Sequence, residues 1–100
     1  MSQPRLHTSD IKDHLSNLPG WSYADNSLSK SYQFSNFGRS MQFVNMVAQA
    51  AEAINHHPDI LIKYDKVSLT LTTHDSGGVT MHDVQLAATV DDEADEVPTD

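Results

Sequence analysis

Cysteine is absent from the 100-residue sequence. The chain therefore cannot form a disulfide, a thiolate metal site or a cysteine nucleophile. Long apolar runs are absent as well: no stretch approaches the ~20 apolar residues of a membrane-spanning helix, and residues 1–14 lack the apolar core of a signal peptide. We therefore expect a soluble, cytoplasmic protein that does not bind membranes.

Basic residues are scarce, since 6 Lys and Arg stand against 14 Asp and Glu, for a formal charge of −8. Six of the acids fall in residues 91–100, which leaves residues 1–90 with a net charge of only −2. A body of this charge offers no basic surface to nucleic acid, so no such partner is expected. The acidic segment 91–100 is predicted to be a disordered tail that follows a single domain over residues 1–90.

The first third of the chain predicts a short helix and a hairpin. Thr8 or Ser9 can cap the helix, which ends before Pro19. Two candidate strands follow, over residues 21–23 and 28–34, on either side of a polar turn.

Residues 36–55 form the strongest predicted helix, with Ser35 or Asn36 as its cap. Two apolar stripes run along it at helical spacing. The first consists of Phe37, Met41, Val44, Ala48 and Ala51, and the second of Phe43, Val47, Ala50 and Ile54. Together they cover roughly half of the helix surface, which is more than contact with one sheet requires. Because a 100-residue chain also buries only about 60–65% of its unfolded surface, we expect a homo-oligomer.

A second hairpin and a last helix complete the pattern. Apolar residues alternate over 60–64 and again over 67–72, and the tight turn is predicted at Asp65-Lys66. The last helix begins at Thr80, with Asp83 completing a capping box. Two hairpins and three helices predict the α+β class, with the helices packed on one face of a four-stranded antiparallel sheet (α-β-β-α-β-β-α).

Three histidines lie at the ends of predicted elements, where functional sites tend to form. His56 and His57 follow the long helix, and His74 follows the last strand. Because imidazole gains and loses a proton near neutral pH, two of them on opposite sides of a small molecule can act as general acid and general base. Glu52, one helical turn before His56, is placed to favour a protonated imidazole there.

Simpler interpretations stay open for the same residues. Histidines that follow a helix interact favourably with its dipole, and His74 can be a solvated residue at a strand end. Asp83 is better explained as a helix cap than as a site residue. A zinc site of three histidines is a further alternative, although adjacent helical residues point about 100° apart and no HExxH motif is present. The remaining three histidines resemble surface residues: His7, His14 and His82.

One pattern spans most of the predicted domain. It reads Glu52-Ala-Ile-Asn-His56-His57-Pro58, then Tyr64, then Thr72-Thr73-His74-Asp75, then Asp83. With its spacing, it strongly resembles the pterin-4a-carbinolamine dehydratase family, from about Gly20-Trp21 to Val90. The resemblance implies a lyase that removes water from a 4a-hydroxytetrahydropterin, as in tetrahydrobiopterin recycling, and yields the quinonoid dihydropterin. It also implies a tetramer built from dimers, and neither a metal nor an organic cofactor.

The resemblance also implies roles for individual residues. His56, His57 and His74 match the family's catalytic histidines. The positions that match pterin-lining or other pattern residues are Asn55, Thr72, Thr73, Asp75, Glu52, Trp21 and Asp83. Two departures, Ile60 and Ser76-Gly77, predict a changed pocket shape rather than lost activity. Because some family members partner a homeodomain transcription factor, a non-catalytic, coactivator-like accessory protein is the alternative function.

Overall fold

Two hairpins supply the four strands of the sheet in a computed structural model that describes residues 3–99. The elements are α1 (Thr8–Leu15), β1 (Ser22–Ala24), β2 (Ser27–Gln33), α2 (Phe37–Ala53), β3 (Asp59–Lys63), β4 (Lys66–Leu71), a single 3₁₀ turn (His74–Ser76) and α3 (Met81–Glu96). The predicted order of helices and strands and the α+β class are confirmed. Residues 1, 2 and 100 of the predicted domain and tail lie outside the described residues.

The sheet has the strand order β1-β2-β4-β3, and every neighbouring pair is antiparallel. Its buried face carries alternate residues of the two central strands, Leu28 and Tyr32 on β2 and Val67, Leu69 and Leu71 on β4. All three helices contribute to the core on that face, through residues such as Ile11, Phe43 and Leu86. The core therefore lies between one layer of helices and one layer of strands.

Both hairpin turns use a left-handed backbone. The β1–β2 turn has Asp25 and Asn26 at positive φ, 52° and 62°, as a tight two-residue hairpin favours. The second turn is Tyr64-Asp65, so its predicted position is wrong by one residue. Tyr64 takes φ 53° and is 66% exposed. The sequence pattern did not indicate a turn at Tyr64, because an aromatic residue there continues the alternation of apolar and other residues along the strand.

The predicted cap residues are confirmed at two of the three helices. Asn36 caps α2 and accepts a hydrogen bond from the Arg39 N–H at 2.9 Å. For α1 the predicted cap is wrong: His7 holds the cap position without a side-chain hydrogen bond, and Thr8 is already helical. Thr80 caps α3, where the predicted capping box with Asp83 is confirmed.

The two apolar stripes of α2 differ in burial. From the second stripe, Phe43 and Val47 are completely buried in the core. In the first, Ala51 is buried, but Phe37 is 49% exposed, Val44 is half-buried and Ala48 is exposed. The chain therefore leaves apolar surface of α2 uncovered, as the width of the stripes predicted.

The predicted disordered tail is wrong over residues 91–97. Helix α3 continues to Glu96, and Val97 is only 4% exposed in the core. The acidic composition was misleading because one of the acids, Asp91, points inward and bonds to the sheet. Across residues 3–99, no helix combines the length and apolarity needed to cross a membrane.

Candidate active site

The first turn of α3 builds a buried carboxylate. Asp83 is the third helical residue and has no exposed surface, and its Oδ2 accepts the Thr80 N–H at 2.9 Å. The Thr73 hydroxyl, at the end of the sheet, donates to the same oxygen at 2.8 Å and lies 2.8 Å from the Thr80 hydroxyl. Burying a carboxylate is costly unless its oxygens are bonded, and here the helix and the strand end together supply the donors.

The remaining partner of this carboxylate is His56. Its Nε2 lies 2.5 Å from Asp83 Oδ1, and its side chain is 12% exposed. An ionised carboxylate only accepts hydrogen bonds, so Nε2 carries a proton and Nδ1 is the nitrogen left for other partners. The pair therefore fixes both the tautomer and one anchor point of the imidazole.

The end of α2 delivers His56 to this position. The helix ends at Ala53, and Asn55 takes a left-handed conformation with φ 50°. The His56 N–H then returns to the Ala51 carbonyl at 3.0 Å. Asparagine tolerates this backbone conformation better than most residues, so Asn55 has a conformational role in turning the chain towards α3.

His57 points elsewhere. Its Nε2 lies 3.3 Å from Glu52 Oε2, and both side chains are more than half exposed. The expected pairing of Glu52 with His56 is wrong, because the helix ends before the one-turn spacing reaches His56. The exposed pair adds little to stability, and it leaves His57 accessible to a ligand.

His74 is exposed and opens the 3₁₀ turn that follows β4. It directly follows Thr73, whose hydroxyl binds Asp83, so the backbone of His74 lies near the carboxylate that His56 also binds. The N-terminal segment braces the other end of this turn, where the Ser76 hydroxyl donates to the Gln3 carbonyl. The structure thus places His56 and His74 at one end of α3.

The other predicted substrate-lining residues differ in burial and position. Asn55 and Asp75 are exposed beside the histidines. Thr72 is half-buried and donates its hydroxyl to the Asn26 carbonyl at 2.8 Å. Trp21 lies elsewhere, because its indole donates to Asp91, eight residues and about 12 Å further along α3 than Asp83.

One residue of this region was misjudged from sequence. His82, predicted to be a surface residue, is half-buried, with its ring centroid 5.5 Å from that of His56. Its position directly before the capping-box Asp83 was the available signal. Within residues 3–99 no three or more His, Asp or Glu side chains are grouped to hold a metal ion, so the zinc alternative has no ligand set there.

One cavity lies away from the histidines. It measures about 390 Å³ and lies at the C-terminal end of α3, between residues 32–35 and 94–99. The histidines lie towards the other end of the helix, so the candidate site is identified from the chemistry of its side chains and not from this cavity.

Known proteins share both the sequence and the fold. The family model described as pterin 4 alpha carbinolamine dehydratase matches residues 4–93. A relative from Picosynechococcus sp. is 47% identical over 87% of this chain and 95% of its own, and one from Sulfurisphaera tokodaii is 41% identical over 88% and 95%. Both are named provisionally as pterin-4-alpha-carbinolamine dehydratases.

A solved structure from Brucella melitensis, described as a transcriptional coactivator/pterin dehydratase, superimposes with a TM-score of 0.87 at 33% identity, covering 90% of this chain and 98% of that one. A pterin dehydratase-like protein described as a RuBisCO assembly factor in the alpha-carboxysome has a TM-score of 0.63 at 23% identity, over 74% of this chain and 86% of its own, and shows the fold alone. With nearly its whole length matched by the family model, this chain belongs to the pterin 4 alpha carbinolamine dehydratase family.

Proposed function

We propose that the protein is a dehydratase that converts a 4a-hydroxytetrahydropterin, such as 4a-hydroxytetrahydrobiopterin, to the quinonoid dihydropterin and water. The observation that carries the proposal is the His56–Asp83 pair, which anchors an imidazole through Nε2, while the exposed His74 follows Thr73, another partner of Asp83. Family membership supports the substrate class.

The reaction needs one acid and one base. The C4a–O bond breaks as the departing hydroxyl takes up a proton and leaves as water, and the proton on N5 is removed so that the C4a–N5 double bond forms. One histidine donates the first proton and another accepts the second, with no net change in protons on the protein. His56 and His74 are the two candidates, and no metal or organic cofactor takes part.

The residues around them divide the remaining tasks. His57 and Asn55 are exposed next to His56 and are proposed to bind the pterin, as is Asp75 next to His74. Thr73 is instead a positioning residue, because its hydroxyl is already engaged by Asp83 and Thr80.

We also propose that the chain forms a homo-oligomer through the uncovered stripe of α2. Ala48 lies on this stripe and is exposed in the isolated chain, so Ala48→Glu would place a charge in the contact without entering the monomer core. The expected result is a lower mass by light scattering with an unchanged circular dichroism spectrum. A wild-type monomer at micromolar concentration contradicts this part of the proposal. A cytoplasmic location stays a prediction.

The test of the reaction is steady-state kinetics with a 4a-hydroxytetrahydropterin. His56→Ala and His74→Ala are each expected to lower the rate by about 10²- to 10⁴-fold, the usual size of general acid–base catalysis, while the fold is retained. His57→Ala is expected to raise KM at least as much as it lowers kcat. Folded His56 and His74 variants that turn over at the wild-type rate contradict the acid–base assignment, and a chelator is expected to change nothing.

The second candidate is a non-catalytic accessory protein on the same fold. The solved relative from Brucella melitensis is described as a transcriptional coactivator/pterin dehydratase, and this description supports the second candidate. A wild-type protein that is folded, oligomeric and inactive towards the pterin supports it over the enzyme.

A further inference from the structure

His82 brings a fourth histidine to the candidate site. It is the second residue of α3, and its backbone N–H donates to the Thr80 hydroxyl at 3.2 Å. Its half-buried ring lies against His56, with 5.5 Å between the ring centroids and 54° between the ring planes. Neither the sequence pattern that identified the other histidines nor the reaction described above uses this residue.

The contact matters because of how His56 is held. A single hydrogen bond from Nε2 to Asp83 anchors one atom of the imidazole, but rotation about the Cβ–Cγ bond can still tilt the ring plane and turn the Nε2–H away from the carboxylate. The direction of Nδ1, the nitrogen left for the substrate, depends on the plane of the ring. A contact on the ring itself restrains that rotation, and the tilted ring of His82 makes such a contact.

The backbone around His82 is well suited to this task. His82 is one residue from Asp83, so one helical turn carries both the group that anchors the His56 nitrogen and the group that packs on the His56 ring. The capping box fixes that turn through the Thr80 and Asp83 hydrogen bonds. The two contacts therefore share one rigid support, which general acid–base catalysis requires of its proton-transfer groups.

We propose that His82 is a positioning residue that holds the plane of the His56 ring and so aims Nδ1 at the substrate. The proposal rests on the proposed function for its catalytic consequence, but its structural part, the orientation of His56, can be measured without turnover.

Three variants test it. His82→Ala removes the ring, His82→Phe keeps an aromatic ring without a titratable nitrogen, and Gln85→Ala is the matched control, an exposed position one turn further along α3. The first readout is the steady-state rate. We expect His82→Ala to lower kcat by about tenfold or more with little change in KM, because mispositioned reacting groups lose rate steeply. His82→Phe is expected to recover most of that loss, and Gln85→Ala to match the wild type.

The second readout is the proton NMR resonance of the His56 Nε2–H, which we expect the hydrogen bond to Asp83 to shift to low field and protect from exchange. We expect it to broaden or vanish in His82→Ala and to persist in His82→Phe and Gln85→Ala. If the wild type is inactive, the proposed function fails, and this resonance still decides the role of His82.

Two results overturn the proposal. One is a folded His82→Ala with wild-type kcat and an unchanged His56 resonance. The other is a His82→Phe that loses as much rate as His82→Ala while the resonance persists, which would make the His82 nitrogen, and not its ring packing, the active feature.

Discussion

Helix α3 carries two inward-facing carboxylates, Asp83 at its start and Asp91 two turns later, and they are held in different ways. Asp83 has no exposed surface and is bonded by His56, Thr73 and the Thr80 backbone. The side chain of Asp91 is 20% exposed. It accepts from the Trp21 indole at 3.1 Å, the Lys30 ammonium at 2.8 Å and the Tyr32 hydroxyl.

The difference lies in the chemistry of the donors. Around Asp91, the Trp21 indole does not titrate near neutral pH, and burial, followed by the nearby Asp91, raises the pKa of the Tyr32 phenol far above its usual value. Asp83 instead faces an imidazole, the one side chain among these donors that ordinarily titrates near neutrality. Both carboxylates hold α3 to the rest of the chain, but only Asp83 is coupled to a group that can transfer a proton.

The strongest test of this contrast exchanges each carboxylate for an amide. Asp83→Asn is expected to lower the dehydration rate by about 10²- to 10⁴-fold, because the amide disturbs the tautomer and anchoring of His56. Asp91→Asn serves as the matched control and is expected to lower stability while the rate per folded molecule stays unchanged. Steady-state kinetics beside urea unfolding separates the two, and equal losses of rate in both variants would remove the distinction.

The next effect concerns the end of α3. Deleting residues 91–100 removes Asp91 and the buried Val97, and it leaves the Trp21 and Tyr32 donors without their acceptor. Each buried unsatisfied donor costs about 1–3 kcal/mol, so we expect a loss of about 3 kcal/mol or more in the free energy of unfolding. Deleting only residues 98–100 is the control, since Pro98 and Thr99 are exposed. An unchanged urea midpoint in the longer deletion would contradict a structural role for Asp91.

A smaller effect is expected at alkaline pH. Because the folded-state pKa of Tyr32 is raised, the folded protein holds this proton more tightly than the unfolded chain does. The stability that comes from this tighter binding of the Tyr32 proton is therefore complete below pH ~10, and it is lost as pH rises towards the folded-state pKa. Tyr32→Phe should lose about 1 kcal/mol at neutral pH, the worth of one hydrogen bond, and decline less steeply above pH ~10 than the wild type.

Thermal unfolding from pH 8 to 11 measures how the stability of the wild type and of Tyr32→Phe depends on pH. Tyr64→Phe, at an exposed position, is the control. Parallel curves for the wild type and Tyr32→Phe would contradict a raised pKa of Tyr32 in the folded protein.

The smallest effect is a gain in stability. Burial, and then the charge of Glu96, raise the pKa of Glu93, whose Oε1 is buried without a hydrogen-bond partner. A raised pKa means that the folded protein prefers the protonated form of Glu93. Protonated Glu93 therefore contributes to stability at acid pH, and that contribution is lost as pH rises through the folded-state pKa. Glu93→Gln should slightly raise the melting temperature at pH 7 and not at pH 4. Asp92→Asn, at an exposed position, controls for net charge, and an equal gain there would assign the effect to overall charge.

Local sequence chemistry predicted much of the region around Asp83. The capping box of Thr80 and Asp83 and the cap at Asn36 depend on residues within one helical turn, so their spacing was sufficient to identify them. The same holds for the alternation that predicted β2 and β4. The turn at Tyr64 escaped because nothing in an aromatic residue signals a positive φ.

The sequence by itself determined the order of the elements, the polar and apolar faces and the presence of histidines after α2 and β4, because these depend on periods of 2 and 3.6 residues. Only the tertiary structure decided which of those groups meet. The Asp91 bonds join residues 59 to 70 positions apart, and the His56–Asp83 bond spans 27. Tertiary packing also placed Trp21 away from the histidines and brought His82 to His56. It ordered an acidic segment that composition predicted to be disordered. The reason is physical: a buried donor or acceptor finds its partner by packing in space, and neither composition nor local periodicity records which distant residue that partner will be.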